Sequence, residues 1–269
     1  MSLEQFMSRF KYDTSKVFNL GIERELFLAS KGVIGPHTPR FLAAIERGIP
    51  CATPFHGETY MGVEPDAFGF ELSACQLEMR VGPCVQDNLY WALAARDTTL
   101  KIVLEHLGLE ALHRGVAPKD MPLDVYPDPA GRYQKLVKDM PVKTLRAACR
   151  VAGTHVHVGM RNQEHALRVY NHSLEYLDEL KELGDESNGE RLAIYQQMAP
   201  DCDPKPFATW EDYYREAVRA EFSSDPRKCW TWIRISVHGT IEFRMFGATS
   251  SKKKIVRWAN RCLEICKAA

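Results

Sequence analysis

Residues 152–160 read AGTHVHVGM, two histidines alternating with two valines between glycines. In extended backbone, successive side chains point to opposite faces, so His155 and His157 share one face and Val156 and Val158 the other. Taken alone, such a pair fits a half-exposed strand whose histidines sit in water or satisfy local hydrogen bonds. What the histidines face therefore depends on whether other strands carry the same device.

Three do. In GIERELFL, Glu23 and Glu25 oppose Ile22, Leu26 and Leu28. In QLEMRVG, Glu78 and Arg80 oppose Leu77, Met79 and Val81, and in TIEFRMF, Glu242 and Arg244 oppose Ile241, Phe243 and Met245. Antiparallel sheets often alternate in this way toward solvent, but a solvated face would more naturally use Thr, Ser and Lys. Ionised Glu23 and Glu25 repel each other, and further glutamates raise that cost unless cations share the space. Carboxylates with one imidazole suit Mg2+ or Mn2+, with water and substrate phosphate completing the shell. Arg80 and Arg244 add fixed positive charge for phosphate oxygens.

Around these strands the chain reads as helices and turns. KVFNLGIERELFL (16–28) is the first strand, TPRFLAAIERG a short helix, and residues 49–70 are rich in Gly, Pro and aromatics without periodicity. ELSACQLEMRVGP reads as a second central strand. DNLYWALAARDTTLKIVLEHLG (87–108) has helical spacing and stops at a glycine. GVAPKDMPLDVYPDPAGRYQKL, with its prolines, suits a functional loop or lid. Helices are expected near 163–183, 188–198 and 208–220, then a hairpin, CWTWIRIS-VHG-TIEFRMF, and a last helix, SKKKIVRWANRCLEICK. The expected fold is α+β, a largely antiparallel sheet with helices on one face, and residues 1–269 form one domain.

Composition narrows the function. With 269 residues and 45% hydrophobic content a sizeable core is available, and Lys+Arg and Asp+Glu both total 35. There is no global electrostatic case for nucleic acid or anionic membrane, so phosphate binding must be local. MSLEQFMSRFKYD has no apolar signal core and no run reaches membrane-spanning length, which points to a cytoplasmic protein. The eight cysteines include no Cys-x-x-Cys pair and read as reduced packing residues; Cys262 and Cys266, four apart on a helix, suit a packed face better than a metal.

GIERE, ELSACQLE, GTHVHVG and TIEFR, in this order, resemble the signature elements of the glutamine synthetase-like carboxylate-amine ligases, a group that includes the glutamate-cysteine ligases and the smaller amidoligases. The resemblance spans residues 20–266. TIEFRMFGATSSKKKIVRWANRCLEI is similar to the amidoligase branch and GRYQKL to the glutamate-cysteine ligase branch. The resemblance implies a glutamine synthetase catalytic-domain-like fold and an ATP-dependent ligase that forms an amide or isopeptide bond through an acyl phosphate. It implies Mg2+ or Mn2+ and small acid and amine substrates, with glutamate or a γ-carboxyl group as the acid; a homo-oligomer is compatible with the sequence but is not implied by the family's assemblies. Glu23, Glu25, Glu78, His155 and Glu242 resemble the metal ligands. His157 falls nearer the nucleotide phosphates, and Arg244 resembles the arginine on the transferred phosphoryl group. Arg80 and Arg234 complete the expected nucleotide-binding set, with Glu242 and Arg244 as its catalytic members. Glu71 is a further ligand candidate, but it lies seven residues before Glu78, where glutamine synthetases have an even separation. On a regular strand the two face opposite ways unless a bulge intervenes.

Two other readings fit the residues. In one, His155, His157 and a glutamate hold Zn2+ for hydrolysis without nucleotide. In the other, a catalytically silent relative keeps the core and binds partners.

Overall fold

The computed structural model describes residues 1–48 and 67–269. Most of the aperiodic stretch expected at 49–70, with Cys51, lies outside the described residues. Among the described residues, eight strands build one sheet: β1 (Leu20–Ser30), β2 (Val33–Ile34), β3 (Phe68–Phe70), β4 (Gln76–Cys84), β5 (Glu110–Leu112), β6 (Gly153–Gly159), β7 (Ile233–Ser236) and β8 (Thr240–Gly247). The order is β3-β4-β1-β6-β8-β7, with β2 and β5 also paired to β1, and every one of these pairs is antiparallel.

Register gathers the ionisable residues. Glu23 stands opposite Arg80 on one side and His155 on the other, and Glu25 stands opposite Glu78. His157 stands opposite Glu242, which faces Arg234 across the hairpin. A slip of one residue on any strand would carry its pair to the apolar side, so burial of that side sets the site.

The helices are α1 (Leu3–Met7), α2 (Thr38–Glu46), α3 (Leu89–Leu107), α4 (Arg132–Val137), α5 (Val142–Arg150), α6 (Gln163–Ser173), α7 (Leu177–Gly184), α8 (Glu190–Met198), α9 (Trp210–Arg219) and α10 (Lys252–Ala268). Helix α3 buries Leu89, Leu93, Leu100, Val103 and Leu104 and ends at Gly108, whose φ of 63° suits a residue without Cβ. Helix α10 starts where Ser251 Oγ accepts from Lys254 N, and it buries Trp258, Cys262 and Cys266 among others. Ile22, Val156, Val158, Ile241, Phe243 and Met245 pack with residues of α6, α7 and α10 into the main core. Each such side chain contributes about 1.5–3 kcal/mol on burial, enough together to hold a charge-rich opposite face in place. All seven described cysteines are free, and Cys262 and Cys266 are core residues, as their helical spacing suggests.

Two features depart from simple alternation. Arg24, between Glu23 and Glu25, enters the helix side fully buried, donating to Asp97 Oδ1 at 2.6 Å and to Thr249 O at 3.2 Å. The run ELSACQLEMRVGP is not one strand. It turns through Leu72–Cys75 before β4 begins, because residue 73 pairs with Val125 and Leu72 O accepts from Tyr126 N at 2.9 Å, both in the proline-rich segment. That segment leads into α4 and closes one end of the polar face, while α5 and α8 form further walls there.

Candidate active site

The polar face opens into a cavity of about 1020 Å³, and all ten residues expected at the site line it: Glu23, Glu25, Glu71, Glu78, Arg80, His155, His157, Arg234, Glu242 and Arg244. At its centre, one oxygen each of Glu23 and Glu242 and one nitrogen of His155 lie within 4.8 Å of one another. His155 Nδ1 is 3.1 Å from Glu23 Oε2 and 4.0 Å from Glu242 Oε1, and its Nε2 is 3.5 Å from Glu25 Oε1. His157 Nδ1 bonds Thr240 Oγ1 at 2.8 Å. That leaves His157 Nε2 buried without a hydrogen bond, 3.4 Å from Glu23 Oε1.

The carboxylates divide into two kinds. Burial raises Glu23, but His157 and His155 outweigh it and hold the carboxyl well below the usual range. Burial also raises Glu242, but Arg234, Arg244 and His157 outweigh it and hold this carboxyl low as well. Desolvation lowers His157, and Glu23 and Glu242 reverse that, so its imidazole is raised. Glu71 and Glu78 behave oppositely. Burial raises Glu71 well above the usual range, helped by its hydrogen bond to Glu78 and by the charges of Glu78, Glu25 and Glu23. Burial and Glu23 raise Glu78 despite its contact with Arg80.

Glu71 thus reaches the cavity without a bulge. The turn at Leu72–Cys75 separates it from β4, so the strand parity that set it against Glu78 does not apply. The arginines also differ from one another. Arg234 donates Nε to Glu242 Oε2 at 2.7 Å and Nη1 to the carbonyls of Arg227 and Cys229, so its geometry is that of a group orienting Glu242. Arg80 is held by Glu78 and Arg244 by Glu242. Arg244 Nε also donates to Tyr195 Oη at 3.4 Å, and its guanidinium lies over Trp230 at 5.8 Å.

These residues fit a hard divalent cation. Three convergent donors, an unsatisfied buried imidazole nitrogen and two carboxyls raised by burial and then by like-charged neighbours are what a shared cation would satisfy. The pair Glu71 and Glu78 gives a direct test. A group raised in the folded state adds stability that is complete below the ordinary carboxyl pKa and is lost as pH rises through the folded value. Glu71→Gln stays neutral throughout, so in chelator-treated protein its melting temperature should exceed wild type by a margin that widens as pH rises above the ordinary carboxyl range. Mn2+ should narrow that margin by stabilising wild type more. Thermal melts across pH decide it, and a variant less stable than wild type at every pH would remove Glu71 from the cluster.

Other lining residues carry no alternating strand signal. Arg132, Tyr133 and Lys135 come from α4, Arg191 and Tyr195 from α8, and Arg227, Lys228 and Trp230 from the segment before β7. Only the proline-rich lid pattern pointed toward any of them, at α4.

Comparison with known proteins bears on the family and the fold. Relatives named "Putative glutamate--cysteine ligase 2" occur in Gloeobacter violaceus, 27% identical over 91% of this chain and 66% of the relative, and in Thermobifida fusca, 26% identical over 69% and 50%. A third, from Roseiflexus castenholzii, is 24% identical over 67% of this chain and 51% of the relative. The chain therefore spans between one half and about two thirds of the length of these curated relatives. The crystal structure of a bifunctional glutathione synthetase from Pasteurella multocida shares the fold, with a TM-score of 0.59 and 14% identity, covering 92% of this chain and 39% of that one. Residues 19–179, well over half of the sequence, match the glutamate-cysteine ligase family 2, and since that span holds β1, β4 and β6 with their paired site residues, the chain belongs to that family.

Proposed function

We propose that the chain is a catalytic unit that joins a small carboxylic acid to an amine at the expense of ATP. The observation that carries this reading is the convergence of Glu23, His155 and Glu242 beside Arg244 in one cavity on a sheet of this family. Mg2+ or Mn2+ would be held by Glu23, His155 and Glu242, with Glu25, Glu71 and Glu78 alongside, and when bound it neutralises phosphate charge. The protein's own part is placement. Arg244 and Arg80 meet phosphate oxygens, Arg234 orients Glu242, and the lid segment with α4 limits water at the reacting carboxylate.

In this reaction a carboxylate oxygen of the acid attacks the terminal phosphorus of ATP and ADP leaves. The amine then attacks the acyl carbon, and phosphate departs with that oxygen. Glutamate, or another acid with a γ-carboxyl group, is the first acid to test, since the relatives are named for glutamate and cysteine.

Incubating acids and amines with ATP and Mg2+ should give ADP only when both an acid and an amine are present. With oxygen-18 in the acid's carboxylate, label should appear in the released phosphate. Product formed with unlabelled phosphate would exclude the acyl phosphate, and turnover without nucleotide would favour a hydrolase.

A further inference from the structure

Helix α8 enters the site through two side chains one turn apart. Arg191 is 2% exposed. Its Nε donates to Ala152 O at 2.8 Å, Nη1 to Met245 O at 3.0 Å and Nη2 to Arg244 O at 3.2 Å. These carbonyls flank a register shift. Thr154 of β6 faces Phe246 of β8, yet Val156 faces Phe243, so β8 carries one extra residue where Arg244 and Met245 lie. A bulge takes backbone groups out of the ladder and re-aims the adjacent side chain. The guanidinium of Arg191 supplies donors at that place. Gly153 is needed beside it, because a Cβ there would collide with the Arg191 guanidinium. The Gly153 N–H in turn donates to Glu25 Oε2 at 2.7 Å.

Four residues on, on the same helix face, the Tyr195 hydroxyl accepts from Arg244 Nε at 3.4 Å and donates to Trp230 O at 3.0 Å. Its ring packs on Trp232 with centroids 4.3 Å apart. Tyr195 is therefore anchored twice, and the Arg244 guanidinium is held between it and Glu242. A free arginine side chain loses substantial rotamer entropy when it grips a ligand, and an arginine already aimed loses less.

We propose that Arg191 and Tyr195 are positioning residues that aim Arg244, the first by fixing the bulged backbone from which it springs, the second by fixing its guanidinium. What Arg244 then meets rests on the ligase reading, whereas its aim is a property of this chain alone.

Tyr195→Phe removes one hydroxyl. Tyr170→Phe serves as the control, since its hydroxyl donates to Lys205 O at 2.9 Å away from the cavity lining. In protein labelled with ¹⁵N-arginine, the Arg244 Nε–H signal is assigned by its loss in Arg244→Lys. Tyr195→Phe should shift and broaden that signal and Tyr170→Phe should not, with both variants folded. For the acid and amine that give turnover, Tyr195→Phe should lower kcat about tenfold and leave the KM for ATP within about twofold. Arg191→Lys keeps the charge but loses the fork, and should move the same signal; if it does not fold, Tyr195→Phe decides alone. An unmoved Arg244 signal in Tyr195→Phe overturns the positioning, and a moved signal with unchanged kcat overturns its part in turnover. If no acid and amine pair reacts, the ligase reading fails while the Arg244 signal still decides the aim.

Discussion

Glu242→Gln should abolish tight divalent-cation binding, weaken nucleotide binding with it, and lower the melting temperature by several degrees. Glu242 is fully buried, accepts from Arg234 and is paired with Arg244, and those cations hold its carboxyl ionised. Glutamine keeps the shape and removes the charge. The buried Arg244 guanidinium and the partly buried Arg234 guanidinium then lose their counterion, a change that costs about 3 kcal/mol or more when one partner of a buried pair is removed. The sign with pH follows from the lowered carboxyl: its stabilisation is present above the ordinary carboxyl pKa and is lost only as pH falls through the folded value. The deficit of the variant should therefore persist across neutral and mildly acidic pH. Calorimetric titration with Mn2+ and a non-hydrolysable ATP analogue, beside thermal melts, measures all three effects. Wild-type affinity for Mn2+ would remove Glu242 from the ligand set.

Arg244→Lys should separate chemistry from architecture. A lysine ammonium can keep the ion pair with Glu242, so the fold and most cation binding should survive. It cannot donate to Tyr195 from an Nε or offer a planar fork to phosphate oxygens. Turnover should fall on the order of 100-fold or more, the scale seen when a preorganised contact to developing charge is lost. Because Arg244 is paired with Glu242 in the structure, a purely structural arginine is a real rival: it predicts that lysine substitutes and turnover stays near normal. Steady-state kinetics with the metal titration repeated on this variant distinguishes the two.

The ligand candidates were legible because strand alternation is local. Glu23 with Glu25, Glu78 with Arg80, His155 with His157, and Glu242 with Arg244 each declare a shared face within three residues of sequence, and all eight line the cavity. Glu71 was not legible in the same way, since strand parity says nothing once the chain turns at Leu72–Cys75. Arg234 reads from the sequence as part of the nucleotide-binding set, and its bonds to Glu242 Oε2 and to two carbonyls are contacts that no local pattern shows.

By itself, the sequence determined the amphipathic strands, the helices that cover their apolar side and the types of group available for chemistry, because side-chain period, capping and turn residues act over a few positions. Tertiary structure alone decided the strand order and register that bring donor atoms of residues 23, 155 and 242 within 4.8 Å of one another. It also decided that Arg191 reaches carbonyls at 152, 244 and 245 and that Tyr195 holds Arg244. Such contacts join segments far apart in the chain, and they are selected by the packing of the whole sheet against its helices, to which no local pattern refers.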